Sequence, residues 1–317
     1  MININNIKIK TVIDNTAAIP MVMAEWGLSI YIDTGDRKIL FDTGAGNSDV
    51  LIHNMQVLNI NPLEIDTLVL SHGHQDHTGG LRSFFRKIHD LKPDKEIEVI
   101  CHPAAVEPQY VKNIGSFGCP YTVEELERYG ARFRYITKPY SITDEIIVSG
   151  EVDMTNDFED TGDAFFREYG SKWAQGEVIE DNGVLNFKDL GKTYVQDNSV
   201  IDDMAIYIKT NMGLIVILGC AHRGVINTIH HSMDTTQTKD VFLVIGGTHT
   251  AGVSEYRMKS TVDEFKSIKV NHIGVSHCTG QIAGSKLSKE LGKEIFFHNN
   301  AGSIIKFKNN KIEVNEF

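Results

Sequence analysis

The sequence predicts a mixed α/β protein in four layers, two β-sheets face to face with helices on both outer sides. Three features lead there. The early part of the chain and the part after about residue 200 each open on strand-like segments, and each then passes into alternating strands and helices. No repeat, low-complexity tract or linker rich in Pro and Ser divides the 317 residues, so one domain over residues 1–317 is expected, with an insertion at about 151–200.

The first strands are Ile2–Ile13, Leu28–Ile32 and Lys38–Phe41, the last two joined by Asp33-Thr34-Gly35-Asp36, whose Gly and Asp suit a hairpin turn. A helix over Ser48–Leu58 stops at Asn61-Pro62. Thr67–Leu70 is a short, continuously apolar strand that runs into a polar loop, Ser71–Thr78. Leu81, Phe84, Phe85 and Ile88 then recur at helical spacing. Glu96–Cys101 is a further strand, and Thr122-x-x-Glu125 has the form of a capping box that opens a short helix to Tyr129. From Glu151 to Val200, Gly, Asp, Asn and isolated aromatics dominate, which reads as irregular loops or a small inserted subdomain able to roof a pocket. Regular structure resumes with a hairpin, Met204–Lys209 and Leu214–Leu218. After it come helix Val225–Met233, strand Val241–Ile245, helix Lys259–Phe265, strand His272–Val275 and helix Ser285–Leu291. The tail, Ile304–Phe307 and Lys311–Val314, reads as a hairpin around Asn309-Asn310.

Charge and composition narrow the function. With 31 basic against 42 acidic side chains the formal charge is −11, so a polyanion is repelled over most of the surface and a nucleic-acid partner is not expected. The longest apolar runs fall far short of the roughly 20 residues that span a bilayer, so no membrane partner is expected either. The N-terminal residues alternate as a strand does and lack the pattern of an export signal. Cys101, Cys119, Cys220 and Cys278 are too scattered for a disulfide framework, which fits a reducing cytoplasm.

The loop Ser71-His72-Gly73-His74-Gln75-Asp76-His77-Thr78-Gly79-Gly80 packs three imidazoles and a carboxylate into six positions directly after a buried strand. Imidazole and carboxylate are ordinary ligands of zinc and its neighbours. Their alternation lets His72 and His74 point one way and Asp76 and His77 another, so one loop can seed two adjacent metal positions. Such a loop fills only part of two coordination shells. Three later strands end in further candidates: Gly219-Cys220-Ala221-His222-Arg223-Gly224, Gly246-Gly247-Thr248-His249 and Ser276-His277-Cys278-Thr279-Gly280.

On His72-x-His74-x-Asp76-His77, together with Asp42-Thr43-Gly44, Glu25-Trp26-Gly27-Leu28-Ser29 and His277, the chain resembles the metallo-β-lactamase superfamily of metal-dependent hydrolases. Asp203-Met204-Ala205 and the three later strand ends make it most similar to the branch that includes the dihydropterin-ribofuranosylaminobenzene phosphate synthases. The resemblance implies the αββα metallo-β-lactamase fold and two divalent metal ions, zinc by default, with iron and manganese also suited to these ligands. It implies that His72, His74 and His222 hold the first metal and that Asp76, His77 and His277 hold the second. Most of the superfamily has an Asp where this chain has Cys220 and His222. Either Cys220 takes that place, or His222 ligates with Cys220 buried nearby. Asp42 is expected behind the ligands, accepting a hydrogen bond from a metal-bound His, with a plain turn Asp as the other reading. Arg223, at a helix start, is a candidate to hold an anionic group of a small-molecule substrate, or simply faces solvent.

The function expected is metal-dependent hydrolysis of an ester, lactone or phosphoester by a metal-activated water. Asp76 would orient that water and relay a proton. His249 is the other catalytic candidate, as general acid, substrate grip or plain loop residue. The resemblance also implies an alternative, a synthase that joins a pterin to an aminobenzene ribosyl phosphate. A non-catalytic metal-binding or sensor protein is the reading from a different class. A redox diiron role is disfavoured by His74, where the diiron relatives would require Glu.

Overall fold

A computed structural model of the chain describes residues 1–47, 49–180, 185 and 192–315. Its first sheet has eight strands in the order Lys311–Asn315, Ile304–Lys308, Lys8–Ile13, Ser29–Asp33, Lys38–Phe41, Thr67–Val69, Ile97–Cys101 and Ala131–Tyr135. Pairing is antiparallel as far as Lys38–Phe41 and parallel beyond it. The second sheet has seven, in the order Phe296–His298, His272–Ser276, Val241–Gly247, Gly213–Leu218, Ala205–Thr210, Ile146–Val148 and Tyr140–Ser141. Here the first four are parallel and the rest antiparallel. Parallel neighbours need crossover connections, and helices supply them.

Alternation along the strands builds the layers. Leu40, Leu68 and Val99 face outward from the first sheet onto Leu51 and Met55 of helix Val50–Val57 and onto Phe84, Phe85 and Ile88 of helix Leu81–Leu91. Their neighbours Ile39, Phe41, Val69 and Ile100 face inward and meet Ile206, Ile208, Ile215, Ile217 and Ile245 of the second sheet. Tyr207, Val216 and Val244 leave the far side of that sheet to pack on Ile226, Ile229, Val262, Phe265 and Leu287, from helices Val225–Thr236, Glu255–Ile268 and Gln281–Leu291. Each such side chain contributes roughly 1.5–3 kcal/mol on burial. The order is therefore helix, sheet, sheet, helix.

Local differences from expectation have local causes. Within Ile2–Ile13 the chain first makes a 3-10 turn, Ile4–Asn6, capped by the Asn3 side chain, and the strand starts only at Lys8. Ser48, the expected start of the next helix, lies outside the described residues. The loop after Thr67–Val69 ends in a helical turn, Gln75–Thr78. Thr122 caps Glu125 N at 3.2 Å, but the Glu125 carboxylate turns to Arg82 Nε at 2.5 Å, so only half of the capping box forms. The stretch expected to be irregular loops or a small inserted subdomain carries strands Phe165–Glu168, Val178–Glu180 and Thr193–Gln196. They form a third sheet with Gln109–Val111 and Gly115–Ser116, which lie well before residue 151. Residues 181–184 and 186–191 of that stretch lie outside the described residues.

Candidate metal centre

The parallel strands of both sheets end on one side, where ligands bind in open α/β sheets. Thr67–Val69 hands over to His72, His74, Asp76 and His77. Gly213–Leu218, Val241–Gly247 and His272–Ser276 hand over to Cys220 and His222, to His249 and to His277. The turns are tight. Asp42, Ala221, His249 and His277 all take left-handed backbone conformations, with φ of 61°, 53°, 48° and 49°. That clustering of strained non-glycine residues is a mark of functional sites. Gly79, just after the loop, passes so close to Ala45 that a Cβ would stand 2.0 Å from its carbonyl oxygen.

Three histidines converge first. His72 Nε2 lies 2.9 Å from His74 Nδ1 and 3.3 Å from His222 Nε2, and all three rings are buried. The Ser71 hydroxyl fixes the His72 ring. It gives its proton to Asp42 Oδ2 at 2.6 Å and so accepts from His72 Nδ1 at 2.9 Å, leaving a lone pair on Nε2. One lone pair shared by two further ring nitrogens suits a cation at the centre better than a hydrogen-bonded trio. Phe165 closes this side, stacked on His74 at 5.1 Å between ring centroids and edge-on to His222 at 4.8 Å.

A second group adjoins it. His277 Nε2 lies 3.2 Å from Asp76 Oδ2, and His77 Nε2 lies 3.9 Å from Asp76 Oδ1. Asn15 Oδ1 accepts from Gly27 N at 3.1 Å, which identifies that atom as oxygen, so the His277 Nδ1 2.9 Å away donates to it while Nε2 is turned to the Asp76 carboxylate. His77 Nδ1 donates to Asp42 Oδ2 at 2.7 Å, and its Nε2 lies 3.2 Å from Cys220 Sγ. Asp76 Oδ1 is buried without a hydrogen-bond partner among the described residues. A buried carboxylate oxygen left bare is costly, and a metal ion satisfies it. The donor atoms within each of the trios His72–His74–His222, Asp76–His77–His277 and His72–His77–Cys220 lie within 4.8 Å of one another, so Cys220 stands between the two groups. Both Cys220 and His222 thus reach the cluster. The set of imidazole, carboxylate and thiol donors fits divalent metals.

Electrostatics follow the packing. Burial and the neighbouring His77 and His74 hold His72 well below its ordinary range, and burial and His249 do the same to His222. Burial pushes His74 down to about 4. Burial also opposes charge on His77, yet Asp42 and Asp76 outweigh it and raise this imidazole to about 9. Asp76 is buried too, but His77 and His277 keep it well below the usual carboxylate range. Neutral histidines and an ionised carboxylate are the forms that ligate, so His72, His74, His222 and Asp76 are ready for an ion, whereas His77 must give up its proton to take one.

The remaining candidates occupy the rim. His249 lies 4.2 Å from His222 between ring centroids, and its Nδ1 has no hydrogen-bond partner among the described residues. With His277, Cys278 and Trp26 it lines a cavity of about 680 Å³. Arg223 donates to the Ser199 carbonyl at 2.7 Å and to the Val152 carbonyl, so two of its donors hold the chain at either end of the 151–200 stretch.

Several contributors had been given no role at the site by the sequence. Asp202 accepts from Gly73 N at 2.8 Å and so pins the metal loop. It is itself held by Arg167 at 2.7 Å and Gln109 at 2.9 Å. Asp14 accepts from His277 N at 2.6 Å, and burial raises its carboxyl to about 6. Asp203 is buried, pushed up to about 7 by that burial, and accepts from Arg223 N at 3.1 Å. The adjacent acids Asp202-Asp203, beside a strand start, were the available signal.

The model of the metallo-β-lactamase superfamily matches residues 27–167. A curated relative, the 7,8-dihydropterin-6-methyl-4-(β-D-ribofuranosyl)-aminobenzene-5′-phosphate synthase of Methanocaldococcus jannaschii, is 31% identical over 96% of this chain and 98% of its own length. The chain belongs to the metallo-β-lactamase superfamily. A second full-length relative, an uncharacterised protein of the same organism, is 34% identical over 94% of this chain and 99% of its own. Among solved structures, a metal-dependent hydrolase of the β-lactamase superfamily superposes with a TM-score of 0.73 at 23% identity, covering 96% of this chain and 100% of the other. That likeness establishes the metallo-β-lactamase fold. Among the described residues no helix is long and apolar enough to cross a membrane.

Proposed function

We propose that the chain is a metal-dependent hydrolase acting on an ester, lactone or phosphoester of small-molecule size. The observation that carries this reading is the adjacency of the two donor groups, with Asp76 Oδ1 left bare in the second and His277 on the cavity wall. His72, His74 and His222 would hold one ion, Asp76, His77 and His277 the other, and Cys220 lies within reach of both. Bound divalent ions would supply Lewis-acid polarisation of the substrate oxygen and a water acidified toward neutral pH. Zinc is the default, with iron or manganese also suited.

The protein's own groups do the rest. Asp76, ionised, accepts a proton from the attacking water and fixes its direction. His249, a residue of the cavity wall beside His222, would give a proton to the leaving group. Arg223 we assign to fastening Val152 and Ser199 beside the centre, in view of its two carbonyl partners, and not to gripping substrate. A panel of lactones, aryl esters and phosphodiesters tests the reading: hydrolysis that disappears on chelation and returns with added metal is expected, and activity that survives full metal removal contradicts it.

The likeness to the pterin-linked synthase favours a second reading. In it the same centre joins a pterin to an aminobenzene ribosyl phosphate. Turnover of pterin diphosphate with the aryl ribotide, and none on the ester panel, selects that reading over hydrolysis.

A further inference from the structure

Cys278 has no part in either donor group described above, yet its sulfur belongs to the same cluster. The Sγ atoms of Cys220 and Cys278 and a ring nitrogen of His277 lie within 4.8 Å of one another. The two thiols come from strands that are not neighbours. Gly213–Leu218 and His272–Ser276 flank Val241–Gly247 in the second sheet, and adjacent strands lie about 4.8 Å apart, so their ends start roughly 10 Å from each other. Gly247 at the end of the middle strand lets them meet. A Cβ there would stand 2.6 Å from Cys278 Sγ and 3.3 Å from Cys220 Cα, so any side chain would fill the space in which the thiols converge. Cys278 Sγ accepts from His249 N at 3.3 Å and donates to the Cys220 carbonyl at 3.4 Å. The bare Asp76 Oδ1 belongs to a residue that shares His277 with this trio. Cys278 is only partly covered and lines the cavity, so an ion can reach it.

We propose that Cys278 is a metal ligand, forming with Cys220 and His277 a sulfur-bearing seat that overlaps the position of the second metal and reserves it for a thiophilic divalent ion. The proposal rests on the metal-centre reading above and specifies its chemistry. Thiolates favour zinc, cadmium and cobalt over manganese or magnesium more sharply than a position built only from Asp76, His77 and His277 would. On binding, each thiol loses its proton to solvent, and the hydrogen bond from His249 N then stabilises the thiolate.

Cobalt(II) reports directly on sulfur ligation through a near-ultraviolet charge-transfer band. Full-length metal-free protein would be titrated with cobalt(II), counting bound ions and recording spectra for the wild type and for Cys278→Ser. The wild type is expected to show the band, and Cys278→Ser to lose about half of its intensity while binding the same number of ions. Its preference for zinc over manganese, read by competition, is expected to fall at least about tenfold. A band unchanged in Cys278→Ser, or absent from the wild type, overturns the proposal while leaving the metal centre standing. Cobalt failing to bind the wild type at all overturns both. A second measurement needs no variant: alkylation of wild-type Cys278, followed by mass spectrometry, is expected to be blocked by zinc and restored by chelator. An equal rate with and without zinc counts against ligation.

Discussion

Asp42 Oδ2 stands 2.7 Å from His77 Nδ1, and both side chains are fully buried. The same carboxylate also takes the amide and hydroxyl of Ser71, at 2.7 Å and 2.6 Å, and through that hydroxyl it fixes His72. One acid thus orients an imidazole in each donor group. Asp42→Asn keeps the shape but turns one acceptor oxygen into a donor facing groups that also donate. Metal affinity is expected to fall about 10- to 100-fold, read by competition against a chromophoric chelator. Unchanged affinity would show that Asp42 only shapes a turn.

His72→Ala and Asp76→Asn remove a donor from the first and second groups respectively. Each is expected to abolish turnover and to lower the bound metal content, with the far-ultraviolet circular dichroism preserved because neither side chain belongs to the apolar layers. Asp76→Asn retaining wild-type kcat would remove Asp76 from the proton path.

Arg167 bridges the third sheet to the metal loop. It is buried, with Nε 2.6 Å from Asp197, one terminal nitrogen 2.7 Å from Asp202 and the other 2.9 Å from the Ala104 carbonyl. Arg167→Met leaves two buried carboxylates without their cation, an expected loss of roughly 3–5 kcal/mol in urea unfolding. A loss below about 1 kcal/mol would mean that the network is solvated or rearranges.

The four-layer arrangement was legible because strand patterning and helical spacing agree over most of the chain. Leu68–Leu70 and Leu214–Leu218 are apolar without a break because both of their faces are covered. The candidate loop His72–His77 was legible from residue type and spacing alone. What the sequence hid are residues that act at a distance. Asp202 pins Gly73 from 129 positions away, and Phe165 covers His74 and His222 from a two-residue aromatic patch with no periodicity around it. Arg223 had the right type for an anion site, yet its direction depends on Val152 and Ser199, which fold onto it from elsewhere. Strands such as Gln109–Val111 are three residues long, too short for alternation to register.

Lys10 provides a test of the packing far from the candidate metal centre. Its ammonium donates to the carbonyls of Leu58 at 2.7 Å and Asn59 at 3.3 Å, and burial, aided by Lys8, lowers it from 10.5 to about 8. Between these values the unfolded chain binds more protons than the folded one, so this group makes stability rise with pH across that window. Lys10→Met removes the contribution. The difference in urea midpoint between about pH 7.5 and about pH 10 is expected to shift toward lower stability at the alkaline end, relative to wild type. An identical pH dependence in the two proteins would show that Lys10 titrates as a solvated lysine.

The most direct test is anomalous diffraction at the zinc edge from crystals of the zinc-loaded chain. Two peaks are expected side by side, one within about 2.0–2.3 Å of nitrogens of His72, His74 and His222, the other equally close to Asp76, His77 and His277. A single peak away from these groups, or His222 and His277 turned out of reach of the cluster, would contradict the account.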